Sequence, residues 1–424
     1  MKMTEEFIYY LWKMNLLYGE LFSTDGQPIS IINSGIRNED SGPDFFNARL
    51  KIGDTEWAGN VEMHTTASDW LRHGHNDDRA YDSVILHVVY ECDTEITNKN
   101  SELIPCLVIK GHYDESLYFK YRNLVSGRDW IACASNIAQV GDIHIFNFLD
   151  RILIDRLERK TAAFEKILEE TNGNWEDTFY ITLARNFGFN TNSQPFEMLA
   201  RALPLAILTK HKEDVFQMEA LLFGQAGLLN DRLDDDYSKK LVKEYSFLRK
   251  KYGLENVKAY AWKFMRMRPV NFPTIRISQF AQLIHKSNHL LSKILEIDKL
   301  ENLKSYFEVE VSEYWLTHFT FGPKSKSRSK SLGEDSFNLI LINTIVPFLF
   351  VYGKHHDNQF FIDRAILFLQ QTRAESNGIV RRWAATGVKA TNASNSQALL
   401  SLKNDYCDNI LCLNCAIGNS ILRS

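Results

Sequence analysis

Six cysteines in 424 residues are too few for a disulfide scaffold, and three of them lie together near the C-terminus. No strong excess of charge of either sign is present, because the formal net charge is −4. This balance excludes wholesale coating of nucleic acid, so any nucleic-acid contact must come from a local basic patch. The sequence therefore predicts a soluble protein that keeps its cysteines reduced.

Long uninterrupted apolar runs are also missing. The longest one, FNLILINTIVPFLFVYG, is broken by Asn338, Asn343 and Pro347, which favours a buried helix over a membrane span. The N-terminus carries Glu5 and Glu6 where a signal peptide would need positive charge, so it indicates an amphipathic helix. We expect a cytoplasmic protein with no membrane partner.

Hydrophobic periodicity divides the chain into two parts. Up to about residue 110 the pattern predicts helix, strand, strand, strand, helix, strand, with period-two segments such as FNARLKIG and EWAGNVEMH. The second helix of this order is predicted over DWLRHGHNDDRAYD. From about residue 144 apolar residues recur at spacings of three and four. We predict an α+β fold, a mixed sheet flanked by helices over residues 1–140, followed by a mostly α-helical domain over residues 141–424.

Three possible metal ligands lie on the predicted hairpin. Asp44 follows Gly42-Pro43 at the start of one strand, while Glu62 and His64 are two residues apart on the next and share one face. Two adjacent carboxylates repel each other unless a cation or proton lies between them. The pattern predicts a divalent-metal site, with one bound water available as a nucleophile.

This arrangement resembles the PD-(D/E)xK nuclease superfamily over roughly residues 1–110, since Pro43-Asp44 and Glu62-Met63-His64 match its motif. The resemblance implies a restriction-endonuclease-like fold and a catalytic set of Asp44, Glu62 and His64 around Mg²⁺ or Mn²⁺. His64 stands where that superfamily has a lysine. A histidine there could ligate the metal or bind the water, which favours a softer ion such as Mn²⁺ or Zn²⁺.

Over its whole length the chain also resembles a family of uncharacterised bacterial proteins, a domain of unknown function. The resemblance rests on NSGIRNEDSGPDFFNA, GNVEMHTTASDW, ILHVVYECD and the terminal YC…CLNCAIG. It implies no activity.

Four histidines fall within a short window: His64, His73, His75 and His87. On a continuous helix His73 and His75 would not share a face, but a helix ending near Gly74 would let a loop bring them together. His87, inside VILHVV, is interpreted either as a core histidine bonded to a backbone carbonyl or as a metal ligand. The second interpretation predicts a mixed His/carboxylate site for Zn²⁺ or Mn²⁺.

Two basic stretches are candidates for nucleic-acid binding. In AWKFMRMRPVNFPTIRISQF, cations alternate with aromatic rings, as single-stranded nucleic acid requires, although a packed helix with a solvated basic face gives the same pattern. The segment PKSKSRSKSLG, residues 323–333, is predicted to be a mobile cationic loop that could hold a phosphate backbone. The candidate residues are Lys263, Arg266, Arg268, Arg276, Lys324, Lys326 and Arg328.

Cys407, Cys412 and Cys415 have the spacing C-x₄-C-x₂-C, which could hold structural Zn²⁺ or an iron–sulfur cluster. Cys133, Cys106, Cys92 or a histidine could supply a fourth ligand. The alternative is three reduced cysteines packed as small hydrophobic side chains.

Three functions follow from these patterns. The leading hypothesis is a hydrolase, a metal-dependent phosphodiesterase or nuclease acting on DNA or RNA. The others are a non-catalytic adaptor that binds nucleic acid or protein, and a His/carboxylate metal hydrolase of a small substrate.

Overall fold

The computed structural model describes residues 3–38, 40–287 and 289–424. The chain divides into two compact units: unit 1 comprises residues 1–148 and 402–424, and unit 2 comprises residues 149–401.

Unit 1 is built on a mixed seven-stranded sheet. Helix α1 (Glu5–Lys13) precedes the strands, and α2 (Asp69–Arg72) and α3 (Glu115–Ser126) follow β5 and β7 respectively. The strands are β1 (Leu21–Phe22), β2 (Pro28–Asn33), β3 (Ile36–Arg37), β4 (Phe45–Ile52), β5 (Thr55–Thr66), β6 (Val84–Glu91) and β7 (Cys106–Val108). Their order is β1-β2-β4-β5-β6-β7, with β3 also paired to β4. The predicted α+β class is confirmed.

Strand direction changes in the middle of this sheet. Strands β1 to β5 pair antiparallel, whereas β5 pairs parallel with β6, and β6 parallel with β7. A parallel pair needs a crossover connection, and residues 67–83 supply it between β5 and β6. This crossover carries two of the four clustered histidines.

The core of unit 1 follows the predicted periodicity. Ala48, Leu50 and Ile52 of β4 alternate with exposed residues and are buried. On α1, the buried ring of Phe7 stacks on Tyr121 of α3 at 5.5 Å between centroids. Helices α1 and α3 thus pack apolar faces against each other, and this packing removes the apolar face of α1 from water.

The helix predicted over DWLRHGHNDDRAYD is shorter than expected. Helix α2 ends at Arg72, and two 3₁₀ turns follow at His75–Asp77 and Arg79–Tyr81. Gly74 has φ +75°, a left-handed conformation that interrupts the helix and that glycine adopts without strain. The resulting loop carries His73 and His75, and a shared histidine site depends on this loop.

Unit 2 is helical, as the sustained period of three and four predicts. Its helices are most of α4 (Asp142–Glu170), which begins in unit 1, and α5 (Trp175–Phe187), α6 (Phe189–Ala202), α7 (Leu205–Leu208), α8 (Val215–Gln225), α9 (Asp236–Tyr252), α10 (Pro273–Lys286), α11 (Leu290–Glu296), α12 (Leu300–Phe307), α13 (Glu313–Leu316), α14 (Glu334–Ile340), α15 (Val346–His355), α16 (Gln359–Gln371), α17 (Gly378–Ala385) and α18 (Ala393–Ser401). A π-helical stretch, Leu341–Ile345, joins α14 to α15.

The apolar run FNLILINTIVPFLFVYG belongs to that joined helix, Glu334–His355. By length and composition this helix could cross a membrane, with a mean hydropathy of 1.7 in its most apolar window, but 72% of that window is buried inside the protein. Burial of this kind is expected of a core helix, as predicted.

The last 23 residues differ from the predicted domain division. Residues 402–424 form a π turn, a 3₁₀ turn and α19 (Ala416–Arg423), and they cluster with unit 1 rather than with the helical unit. The prediction of one domain over 141–424 is therefore wrong at its C-terminal end. Periodicity reports the type of an element but not which core covers its apolar face.

Candidate metal centre

The structure brings Asp44 and Glu62 together at the start of β4. Antiparallel pairing joins Phe45 to Val61, so Asp44 lies one residue beyond that pair, opposite Glu62. The backbone N–H of Asp44 donates to Glu62 Oε2 at 3.1 Å, and the N–H of Met63 donates to Asp44 Oδ2 at 3.0 Å. Each carboxylate is thus fixed by the backbone of the opposite strand.

Two imidazoles lie beside Glu62, and a third lies beside one of them. His64 Nε2 lies 3.6 Å and His75 Nε2 lies 3.2 Å from Glu62 Oε1. His73 Nδ1 lies 3.2 Å from His64 Nε2, and the donor atoms of the three histidines all lie within 4.8 Å of one another. We call Glu62, His64, His73 and His75 the donor set.

These separations fit one bound ion. Zinc–nitrogen and zinc–oxygen bonds of 2.0–2.2 Å place the corners of a tetrahedron about 3.4 Å apart. The three measured separations of 3.2, 3.2 and 3.6 Å bracket that value. Imidazole suits Zn²⁺ and other borderline ions better than Mg²⁺, so the donor set favours the softer ions.

Local sequence explains how the crossover loop reaches the strand. Because the helix is interrupted at Gly74, His73 and His75 are not held on opposite sides of α2. The ring of His75 stacks on Tyr81 at 3.8 Å between centroids and meets the edge of Trp70 at 5.4 Å. Trp70 is itself buried, so the aromatic contacts hold His75 against the core.

Burial controls protonation in the donor set. Burial and, second to it, the neighbouring Asp44 carboxylate together raise the pKa of Glu62 to about 9. Burial also lowers the pKa of His64 to about 2, with three neighbouring imidazoles adding to the effect. Neutral imidazoles are the form that binds metal, so His64 is in the binding form at neutral pH.

His87 lies behind the donor set rather than in it. On β6 it is paired with Glu62 of β5, and its Nε2 lies 2.9 Å from His64 Nδ1. Burial lowers the pKa of His87 to about 4. A backbone carbonyl was the expected partner of His87, but its partner is His64. This contact orients His64 so that its Nε2 faces Glu62.

Sequence reasoning missed three residues beside Asp44. Arg37 Nη1 donates to Asp44 Oδ1 at 2.9 Å, and its guanidinium lies 3.7 Å from the centre of the Tyr9 ring. The hydroxyl of Tyr9 also bonds to Asp44. Glu5 on α1 interacts electrostatically with His73, and burial raises its pKa. Glu5 and Tyr9 are four residues apart and therefore lie on one face of α1, a spacing that is visible in the sequence.

Asp44 is therefore held mainly by a cation of the protein. Burial raises the pKa of Asp44, while Arg37 opposes that rise. Position 64 is a histidine and not a lysine. Arg37 instead supplies positive charge close to the site.

The cysteines lie in unit 1. Burial raises the pKa of Cys407, and Cys133, Cys415 and Cys412 add to the rise in that order. Among the described residues these cysteines form no group of three whose sulfur atoms all lie within 4.8 Å of one another. Burial likewise raises the pKa of Cys133 to about 12 and that of Cys412 to about 11. Of the three upstream candidates for a fourth ligand, Cys133 is the one that adjoins the C-terminal cysteines. Cys106 instead interacts with Cys92.

The first basic stretch does not form the predicted helix. Residues 259–261 and 269–271 are 3₁₀ turns, and α10 begins only at Pro273. Lys263, Arg266 and Arg268 are exposed, but Arg276 is 6% exposed and bonded to neighbouring side chains. The prediction that Arg276 belongs to an exposed cationic face is wrong, because its position in α10 turns it inward.

The second basic stretch lacks regular secondary structure, as predicted. Lys324, Lys326 and Arg328 are exposed. The segment is nevertheless attached by backbone hydrogen bonds, from Ser325 N–H to Thr317 O at 2.7 Å and from Arg328 N–H to Leu316 O at 3.1 Å. Lys330 of the same segment is buried and donates to main-chain carbonyls.

The fold and the donor set define an α+β protein with a candidate metal centre on its central strands. The chain belongs to the family described as Protein of unknown function (DUF2851), whose model matches residues 5–378. No curated protein and no solved structure matches the chain.

Proposed function

We propose that unit 1 is a metal-dependent phosphodiesterase acting on DNA or RNA. The observation that supports this most is the grouping of three imidazoles within 4.8 Å of one another, two of them beside Glu62. The order of helices and strands around β4 and β5 also accords with the resemblance to the PD-(D/E)xK nucleases.

When bound, a divalent ion supplies an activated water and polarises a phosphoryl oxygen. His64, His73 and His75 would hold it, with Glu62 as a fourth ligand or as the base that accepts a proton from water. Asp44 fixes the position of Glu62 through the backbone and holds Arg37 at the site. Arg37, with 28% of its side chain exposed, is placed to contact a phosphate oxygen.

The burial of the donor set favours a second candidate, hydrolysis of a small substrate. The side chains of His64, Glu62 and His75 are 2%, 6% and 11% exposed, and of the four residues only His73 is exposed. A polynucleotide needs an open approach, whereas a small substrate could reach the donor set from the side on which His73 is exposed. A non-catalytic adaptor remains the third hypothesis.

Metal analysis combined with cleavage assays separates the three functions. Wild-type protein loaded with Zn²⁺ or Mn²⁺ should cut single- or double-stranded DNA or RNA, and Glu62→Gln should lose both the bound ion and cleavage. Glu56→Gln is the matched control, because Glu56 is an exposed carboxylate on the same strand.

The proposal fails if metal-loaded wild type cuts no polynucleotide. Hydrolysis of bis(p-nitrophenyl) phosphate alone would then indicate the small-substrate hydrolase. Nucleic-acid binding without any cleavage would indicate the adaptor.

The C-terminal cysteines are proposed as a separate structural site for zinc or an iron–sulfur cluster. Their support is the electrostatic interaction of Cys407 with Cys412, Cys415 and Cys133, of which Cys415 and Cys133 are buried. Elemental analysis of reduced protein should find zinc or iron beyond that bound by the donor set. If neither is found, and all the thiols titrate on unfolding, these residues are ordinary core cysteines.

A further inference from the structure

A buried arginine in unit 2 lacks a counter-ion. Arg276, on α10, is 6% exposed and donates to Gln279 Oε1 at 2.9 Å, to Asn271 Oδ1 at 2.8 Å and to Ser336 Oγ at 3.1 Å. All three acceptors are neutral, and within the described ranges no carboxylate forms an ion pair with it. Its Nε–H is buried without a hydrogen-bond partner. An uncompensated buried charge is costly, so this arrangement requires an explanation.

Other buried cations of unit 2 are compensated. Arg364 donates to the carbonyls of Ile294, Leu295 and Ile297, where α11 ends. The C-terminal end of a helix carries partial negative charge, which stabilises this guanidinium. Lys330 likewise donates to three main-chain carbonyls. Arg276 differs because its acceptors are side-chain amides and a hydroxyl, which carry no comparable charge.

Arg276 lines a cleft of about 770 Å³ in unit 2. Exposed Arg268 lines the same cleft, as do Ser329 and Ser331 of the basic segment. The 22-residue helix Glu334–His355 begins at this cleft, and Gly333, its N-cap, has no side chain to satisfy the first backbone N–H groups. All of these groups offer hydrogen-bond donors to an anion.

The carboxylates of the cleft are already neutralised. Glu334 pairs with Lys304 at 3.0 Å, and Asp335 pairs with Arg373 at 2.8 Å. The charges that remain are those of Arg268, Arg276 and Lys330, of which Lys330 is directed at main-chain carbonyls. A negatively charged ligand is therefore favoured over a neutral or cationic one.

We propose that this cleft binds a phosphate group. The Arg268 guanidinium donates charge-assisted hydrogen bonds to its oxygens, and the serine hydroxyls and backbone N–H groups satisfy the others. Arg276 attracts the anion through its uncompensated positive charge. The Phe189 ring lies over one face of the Arg276 guanidinium at 4.4 Å. The site does not depend on the metal centre of unit 1. The phosphate could belong to a small molecule or to a polynucleotide.

The test is titration of the full-length protein with inorganic phosphate, followed calorimetrically at constant ionic strength with chloride as the reference anion. Wild type should bind phosphate saturably, and Arg268→Gln should weaken binding by about tenfold or more, as loss of a charged hydrogen bond predicts. Arg266→Gln is the matched control, because Arg266 is exposed on the same segment but does not line the cleft. Arg276→Gln removes the buried charge, and it should also weaken binding.

Wild type that binds no phosphate overturns the proposal, and so does Arg268→Gln that binds as tightly as Arg266→Gln. Arg268 is exposed, so its variant remains informative if substitution of Arg276 prevents folding. Competition by oligothymidylate, with or without a 5′-phosphate, then identifies the source. Competition by both oligonucleotides indicates a backbone phosphate, competition by the phosphorylated one alone indicates a terminal phosphate, and competition by neither indicates a small molecule. Each of these three results leaves the phosphate site standing.

Discussion

Replacing His73 by alanine tests the donor set with the least risk to folding. His73 is exposed, whereas its Nδ1 lies 3.2 Å from His64 Nε2, within the proposed coordination sphere. Removing it takes one of three imidazoles from the ion and leaves the buried ligands in place. His144→Ala is the matched control, since His144 is an exposed histidine of the same unit.

The size of the effect follows from the geometry. Loss of an outer-shell partner of a metal ligand weakens affinity by about 10–100-fold, so loss of a ligand itself should cost at least about 100-fold, or about 2.8 kcal/mol. An exposed substitution changes the free energy of unfolding of the metal-free protein by no more than about 0.5 kcal/mol. Metal affinity and stability are therefore expected to separate.

The assay is competition for Zn²⁺ against a fluorescent chelator. It is run in a Cys412→Ser, Cys415→Ser background, because thiolates bind zinc and would mask the loss. Urea unfolding of each metal-free variant measures stability. Equal zinc affinity for His73→Ala and His144→Ala would refute the donor set.

Two further predictions concern unit 2. Burial lowers the pKa of Lys160 to about 7. Between pH 7 and about 10.4 the unfolded chain therefore binds a proton that the folded protein lacks. The stability of the folded protein decreases as pH decreases through that window. In urea unfolding, Lys160→Met should remove a slope of about 1.4 kcal/mol per pH unit there, and exposed Lys166→Met should not; equal slopes in the two variants would contradict this assignment. Gly224→Ala would place Cβ 2.1 Å from the Tyr245 ring and should destabilise by about 1–3 kcal/mol in thermal unfolding. Gly378→Ala, which meets open space, is its control, and similar melting temperatures would show that α8 and α9 are loosely packed.

The sequence by itself determined the type of most elements near the site. Alternation along Ala48, Leu50 and Ile52 requires a half-buried strand, and a strand necessarily puts Glu62 and His64 on one face. The helical period of unit 2 is likewise set by apolar residues only three and four positions apart. These properties depend on residues a few positions apart, so they can be read without knowing the rest of the chain.

The tertiary structure alone decided which donors meet. His73 and His75 reach Glu62 because α2 is interrupted at Gly74 and because Trp70 and Tyr81 hold the loop against the core. Arg37 reaches Asp44 across a strand pair whose register no local pattern specifies.

The same limit applies far from the metal centre. Arg276 was a candidate for nucleic-acid binding, but the packing of α10 buries it. Residues 402–424 join a unit that begins about 400 residues earlier. Short-range periodicity encodes which side of an element is apolar. What that side packs against depends on the complementary surfaces of distant segments, and only the folded chain brings those surfaces together.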